Sequence, residues 1–350
     1  MRKQFDINKL VRPNVAKMKA YSSARDEFTD FNKDMVFLDA NENPFNNGVN
    51  RYPDPQQGAL RQLIATQKEM NEDGILFGNG SDEVLDLIFR AFCIPGKDNV
   101  ISLPPTYGMY KVLANTNDIE NREVLLTENF QPDIETIFEQ VDGNTKLLFL
   151  CSPNNPTGNL IEGDKIETIL NRFDGVVVID EAYIDFASSP SWITRLDQYP
   201  NLIVTQTLSK AYGMAGIRLG MAFASADICA ILKKIKPPYN VNELTQQKAV
   251  KHITNTNNYN NEISSILDNK NSLSKVLVDI NYIKKIFPSD ANFVLVKVDN
   301  ADKRYQQLVE KGIVIRNRST QPLCENTLRF TIGTAQENEQ LITALNAISN

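Results

Sequence analysis

KLLFLC at Lys146–Cys151 and GVVVID at Gly175–Asp180, with the stretch Glu162–Phe173 between them, decide the fold. Each run is short, apolar and free of polar alternation, as expected of a parallel strand buried on both faces. Between them, apolar residues recur at helical spacing. Strand, helix, strand is a βαβ unit, and LIVTQ at Leu202–Gln206 adds a further strand of the same kind. The expected architecture is therefore α/β, a large unit with a mostly parallel central sheet. Upstream, Gly80-Ser81-Asp82-Glu83 precedes an apolar stripe at Val84, Leu85, Ile88 and Phe92. This reads as a helix start capped by Ser81 or Asp82, with Pro95-Gly96 ending the helix.

Composition changes after about Val241. An Asn-rich stretch, NTNNYNN at 255–261, leads into a long polar helical region and then Lys284–Phe287. Asn292–Val298, a helix near Arg304–Lys311, Gly312–Arg316 and Thr327–Ile332 follow, the pattern of a smaller α+β unit. The expected division is a large unit over 46–270 and a small one formed by 1–45 with 271–350, the N-terminal arm included.

The 350 residues are 42% hydrophobic and 23% charged, which suits a globular chain with a real core. A net charge of −6 argues against non-specific nucleic-acid binding, which needs a basic face. Cys93, Cys151, Cys229 and Cys324 form no CxxC pair, so reduced thiols in a cytoplasmic protein are expected, with no metal. No stretch approaches a membrane span, and Met1–Asn14 lacks the apolar core of a signal peptide. The single histidine, His252, lies in a polar stretch. A serine–histidine triad or a multi-histidine metal site is thereby disfavoured, and proton transfer falls to Lys, Tyr, Asp or Glu.

Four features at expected strand ends come in one order: SPNNPTG at Ser152–Gly158, DEAY at Asp180–Tyr183, Ser209-Lys210, and Arg218. In a parallel sheet the carboxyl ends of the strands gather at one edge, so all four can meet one ligand. Their chemistry suits a pyridine cofactor. Such a ring acts as an electron sink only while its nitrogen is protonated, and a buried carboxylate at Asp180 would keep it so. Lys210 is the candidate for an amine that binds the cofactor and then moves a proton, its proton affinity lowered by burial and nearby charge. Gly80-Ser81-Asp82 offers a helix amino end for a phosphate, with Ser209 and Arg218 beside it. Asn155 and Tyr183 can hydrogen-bond a phenolic oxygen, and Tyr107 offers a stacking face. Singly, each has a plain structural explanation as a turn, a cap, packing or a solvated charge; their joint occurrence in order carries the reading.

The set resembles the fold-type-I pyridoxal-phosphate-dependent aminotransferases, and the resemblance covers nearly the whole chain. Within them it is similar to the histidinol-phosphate aminotransferase family through YSSAR (Tyr21–Arg25), LDANENP (Leu38–Pro44), RYP (Arg51–Pro53), PPTYGMY (Pro104–Tyr110), CSPNNPTG (Cys151–Gly158), TLSK (Thr207–Lys210), FPSDANF (Phe287–Phe293) and Leu328-Arg329. The resemblance implies pyridoxal 5'-phosphate on Lys210, with Asp180 at the ring nitrogen. It further implies Asn155 and Tyr183 at the phenolate, Tyr107 on the ring, and Gly80, Ser81, Asp82, Ser209 and Arg218 around the phosphate. Tyr52 would reach the cofactor phosphate of a partner subunit, which implies a homodimer with shared sites. Arg329 would hold the substrate anion, helped by Arg316, Tyr21 and Asn41. The implied reaction exchanges an amino group between histidinol phosphate and 2-oxoglutarate in histidine biosynthesis. Departures from the family pattern are GSDE at the phosphate loop and the tail Gln336–Asn350. Other amino-acid aminotransferases and decarboxylases share this scaffold and stay open as alternatives. A nicotinamide enzyme would want GxGxxG, which is absent, and a non-catalytic regulator would not need the full lysine–aspartate–arginine set.

Overall fold

The computed structural model describes residues 5–21 and 35–348. A seven-stranded sheet consists of β1 (Ile75–Asn79), β2 (Asn99–Ser102), β3 (Glu120–Glu123), β4 (Thr145–Cys151), β5 (Val176–Asp180), β6 (Leu202–Thr207) and β7 (Leu219–Ala224). Its order is β1-β7-β6-β5-β4-β2-β3, and only β7 runs against its neighbours. The three quoted strands lie side by side, in parallel, as expected. Their unbroken apolar runs follow from burial on both faces. Leu148, Leu150, Val177 and Ile179 enter one core cluster, while Leu147, Phe149, Val176 and Val178 enter another. The expected helix between β4 and β5 runs Gly163–Arg172 and buries Ile166, Ile169 and Leu170, one stripe at helical spacing.

A second sheet, of order β10-β11-β9-β8, is antiparallel throughout: β8 (Ile283–Ile286), β9 (Phe293–Val298), β10 (Arg316–Asn317) and β11 (Thr327–Thr331). Helices Ala301–Glu310 and Ala335–Ala347 accompany it, and Leu273, Val296, Leu308, Phe330 and Leu345 share its core. Helix Thr256–Leu277 leads into this unit, so the boundary expected at 270/271 falls inside a continuous helix. The N-terminal segment differs from expectation. Ile7, Val11 and Val15 bury themselves in the core on one face of the large sheet, and the Arg12 amide donates to the Ala91 carbonyl. The cap of helix Ser81–Phe92 also differs: Gly80 is the capping residue, Ser81 is already helical, and no side chain bonds the first-turn amides. That helix ends at Phe92, before Pro95-Gly96. All four cysteines are free and buried. Among the described residues no helix is long and apolar enough to cross a membrane.

Candidate active site

The strand directions bring the sequence features to one sheet edge. Asp180 closes β5, the Ser152–Gly158 loop leaves β4, and Ser209-Lys210 leaves β6. Arg218 reaches the same edge by a route not expected from the sequence. It precedes its strand, and because β7 is reversed, the start of β7 lies with the ends of the others. Asn79, the last residue of β1, pairs with Leu219, which sets Gly80 beside Arg218. Both flanking positions demand glycine. Gly80 has φ of +82°, and a β-carbon there would stand 2.5 Å from the Arg218 guanidinium. At Gly220 a β-carbon would meet the Ser81 amide nitrogen at 2.3 Å. Arg218 itself adopts a left-handed conformation (φ 54°), which residues other than glycine seldom take. Its guanidinium lies 3.6 Å from Asp82, which also accepts a 3.0 Å hydrogen bond from the Tyr107 hydroxyl.

Asp180 is buried, and its carboxyl accepts from the Tyr110 hydroxyl at 2.8 Å and the Ala182 amide at 3.1 Å. Burial raises its pKa, while the Tyr110 and Ala182 hydrogen bonds work in the opposite direction. Among the described residues it is in no ion pair, and the Lys210 charge also favours its ionised form. Lys210 has its proton affinity lowered, first by burial, then by the Arg329 and Arg218 charges, with Asp180 and Asp82 opposing. Its Nζ stands 5.7 Å from the centre of the Tyr183 ring. Tyr183 packs edge-on against Phe293 of the second sheet. Arg329 crosses between the two units: it donates to the Asn155 side-chain oxygen and lies 4.9 Å over Phe293. Desolvation and the neighbouring Arg318 and Arg316 push its pKa down to about 10, which leaves it cationic at neutral pH.

Lys210, Asp180, Arg218, Asp82, Tyr107, Tyr183, Asn155 and Arg329 thus form one connected group. Ser209 neighbours it, with its amide on the Thr207 hydroxyl. Other expected residues lie apart. Tyr52 is half exposed and stacks on Tyr239 with ring centres 4.4 Å apart. Together with Asn41 it lines a separate cleft of about 470 Å³. The buried Glu42 carboxylate folds that segment on itself, accepting from Arg51 at 2.7 Å and the Tyr52 amide at 2.6 Å. Tyr21 is exposed, and Ser22–Arg25 of the YSSAR stretch lie outside the described residues. Arg316 is exposed but sits directly across from Arg329 in the β10–β11 ladder.

Sequence reasoning passed over two residues here. Tyr110, which holds Asp180, lies in the first turn of the helix Met109–Thr116, three residues after Tyr107 and edge-on to its ring, a proximity in sequence that could have revealed it. Glu181 was quoted only as part of DEAY. It is fully buried and accepts from Ser191 Oγ at 2.5 Å, the Trp192 amide at 2.7 Å and Gln206 at 2.9 Å, which fastens the 187–198 segment under Asp180. Burial raises its pKa from 4.5 to about 7, against those hydrogen bonds. A carboxyl whose folded pKa is raised stabilises the fold most below its unfolded pKa and loses that contribution as pH climbs through the folded value. The window is therefore about pH 4.5 to 7, with about 3 kcal/mol at stake by linkage. Thermal unfolding from pH 5 to 8 should show a destabilisation that Glu181→Gln flattens. Parallel curves for the two proteins would exclude Glu181 as the titrating group.

Residues 33–345 match the family described as aminotransferase class I and II. The histidinol-phosphate aminotransferase of Flavobacterium johnsoniae is 61% identical over 346 residues, 99% of each chain. That of Christiangramia forsetii is 62% identical over 348 residues, again 99% of each. Among solved structures, the histidinol-phosphate aminotransferase of Clostridium acetobutylicum superposes with a TM-score of 0.79 at 27% identity, over 86% of this chain and 91% of that one.

Proposed function

The chain belongs to the class I and II aminotransferases and, within them, to the histidinol-phosphate aminotransferase family, and on that premise we propose a role for each side chain of the site. The activity is pyridoxal-phosphate-dependent exchange of an amino group between histidinol phosphate and 2-oxoglutarate, with imidazole-acetol phosphate and glutamate as products, in histidine biosynthesis. The observation that carries it is the position of Lys210 in the joint field of Asp180, Asp82, Arg218 and Arg329.

The residues present fit the cofactor. Asp180 is a buried carboxyl that is in no ion pair among the described residues, suited to a protonated ring nitrogen. The Ser81–Phe92 helix begins with amides that no side chain caps, beside Arg218, suited to a phosphate. When bound, pyridoxal phosphate supplies the electron sink for the bonding pair released at the substrate's amino-bearing carbon.

The protein's part is positioning and proton transfer. Tyr110 and Ala182 fix the Asp180 carboxylate, whose charge would hold a proton on the cofactor's ring nitrogen. Lys210 Nζ, biased toward the neutral amine by burial and two guanidiniums, takes the proton from the substrate carbon and returns it at the adjacent position. Asn155 and Tyr183 would hold the cofactor's ring oxygen, and Tyr107 would cover its ring. Arg329, aided by Arg316, holds the anionic end of either amino partner. The seven-stranded unit serves the cofactor, and the four-stranded unit supplies the anion-binding arginines.

Tyr52 and its neighbours serve a second copy of the chain. Val36, Leu38, Phe45 and Leu244 are large apolar residues with 63–86% of their surface exposed. A homodimer would cover them and bring Tyr52 to the partner's phosphate; a monomer in sedimentation would remove this reading. The buried free thiols fit a cytoplasmic location. The test of the function is a comparison of kcat/KM. Histidinol phosphate should exceed unphosphorylated histidinol as amino donor to 2-oxoglutarate by at least about a hundred-fold, since a site built to pair a charged group rejects the analogue lacking it. Equal values, or release of carbon dioxide from a phosphorylated amino acid, would sink the assignment.

A further inference from the structure

Arg318 stands two residues beyond Arg316, and its amide donates to the Thr327 carbonyl, continuing the β10–β11 ladder by one step. With a strand period of two, Arg316 and Arg318 share a face, and Arg329 opposes Arg316 on it. Three guanidiniums therefore crowd one patch, and among the described residues none of them is in an ion pair. The patch also collects unmet hydrogen-bonding groups. Arg318 Nε, Arg329 Nε and the Ser319 hydroxyl are all buried without a hydrogen-bond partner. Buried donors in folded proteins are nearly always satisfied, and leaving several orphaned together is costly. Such a group calls for an acceptor with several oxygens and a full negative charge. Like-charge crowding is visible in the lowered proton affinity of Arg318, caused by burial first and Arg316 next. Tyr183, 5.7 Å from the Lys210 amine, is in turn influenced by both Arg329 and Arg318, which places the patch beside the reacting end of the site.

One guanidinium matches one carboxylate in a two-pronged hydrogen bond. A phosphate monoester carries about −1.5 to −2 at pH 7 and three terminal oxygens. We infer that Arg318 is a specificity-determining residue that reads the second negative charge of a phosphorylated substrate, while Arg329 and Arg316 serve phosphate and carboxylate alike. The inference rests on the function proposed above. It makes Arg318 the residue that lets one anion pocket favour the phosphate ester without rejecting glutamate.

The experiment compares wild type, Arg318→Gln and Arg318→Lys as holoenzymes in the two half-reactions. Saturation by histidinol phosphate and by glutamate is followed from cofactor absorbance at pH 8 and at pH 5.5. For Arg318→Gln, the concentration for half-saturation by histidinol phosphate should rise about ten- to a hundred-fold at pH 8, and that for glutamate by less than about threefold. Arg318→Lys should recover part of the loss. The phosphate's second proton binds near pH 6, so wild type should bind histidinol phosphate more weakly at pH 5.5 than at pH 8, and Arg318→Gln should show a smaller difference. Equal weakening for both substrates, or no weakening for either, would overturn this assignment alone. A wild-type protein that accepts glutamate but not histidinol phosphate would overturn the proposed function as well.

Discussion

Lys210→Ala is expected to lower transamination by at least about a thousand-fold, the scale lost with a positioned proton-transfer group, and to abolish covalent retention of the cofactor. Stability should hardly change. The Lys210 amine makes no ion pair among the described residues, and it stands 5.7 Å from the centre of the Tyr183 ring. Its environment is built against the charged form, since burial and the Arg329 and Arg218 charges outweigh Asp180 and Asp82. Removing a cation from such a place relieves repulsion, which is the opposite of what removing a structural lysine does. Single-turnover assays with histidinol phosphate, alongside thermal unfolding of the same samples, check both halves. A variant retaining more than a tenth of wild-type activity would show that another group moves the proton.

Asp180→Asn should cost about a hundred- to a thousand-fold in the same assay, the range for losing one preorganised electrostatic contact to the reacting system. Asparagine fills the same volume in a site where the Tyr110 hydroxyl and the Ala182 amide already donate. What it removes is the negative charge, and a neutral side chain gives the ring nitrogen no reason to stay protonated. Tyr110→Phe supplies a graded control. The Tyr110 hydrogen bond favours the Asp180 carboxylate, so its loss raises the Asp180 pKa further and should move the acid limb of the rate profile to higher pH. A Tyr110→Phe profile identical to wild type would detach Asp180 from the measured limb.

Much of this was legible before any coordinates. The three central strands announced themselves because strands buried on both faces lose polar alternation, and Leu147–Cys151 and Val176–Ile179 have none. Strand direction was not legible in the same way. LGMAFA at Leu219–Ala224 is as buried as its neighbours, yet nothing local records that it runs backwards, so the route by which Arg218 reaches the shared edge, at the start of a reversed strand, came only from the pairing. The N-terminal segment spaces Ile7, Val11 and Val15 four apart, which marks an apolar face but not the surface it meets. The helix cap was misjudged because Ser81 and Asp82 are good capping types, while the turn needed the positive φ of Gly80. Tyr110 and Arg318 were within reach, since Tyr110 follows Tyr107 by three residues and strand periodicity places Arg318 beside Arg316. The contacts of Arg329 with Asn155 and Phe293 join residues far apart in the chain, and no local pattern encodes them.

The measurement that bears most directly on the central claim is an absorbance titration of the purified holoenzyme with histidinol phosphate, run beside Lys210→Ala. The account predicts a near-ultraviolet or violet cofactor band in wild type that is lost as histidinol phosphate is added and regained with 2-oxoglutarate, and that is missing from the variant. A wild-type band indifferent to histidinol phosphate, or one retained unchanged in Lys210→Ala, would contradict it.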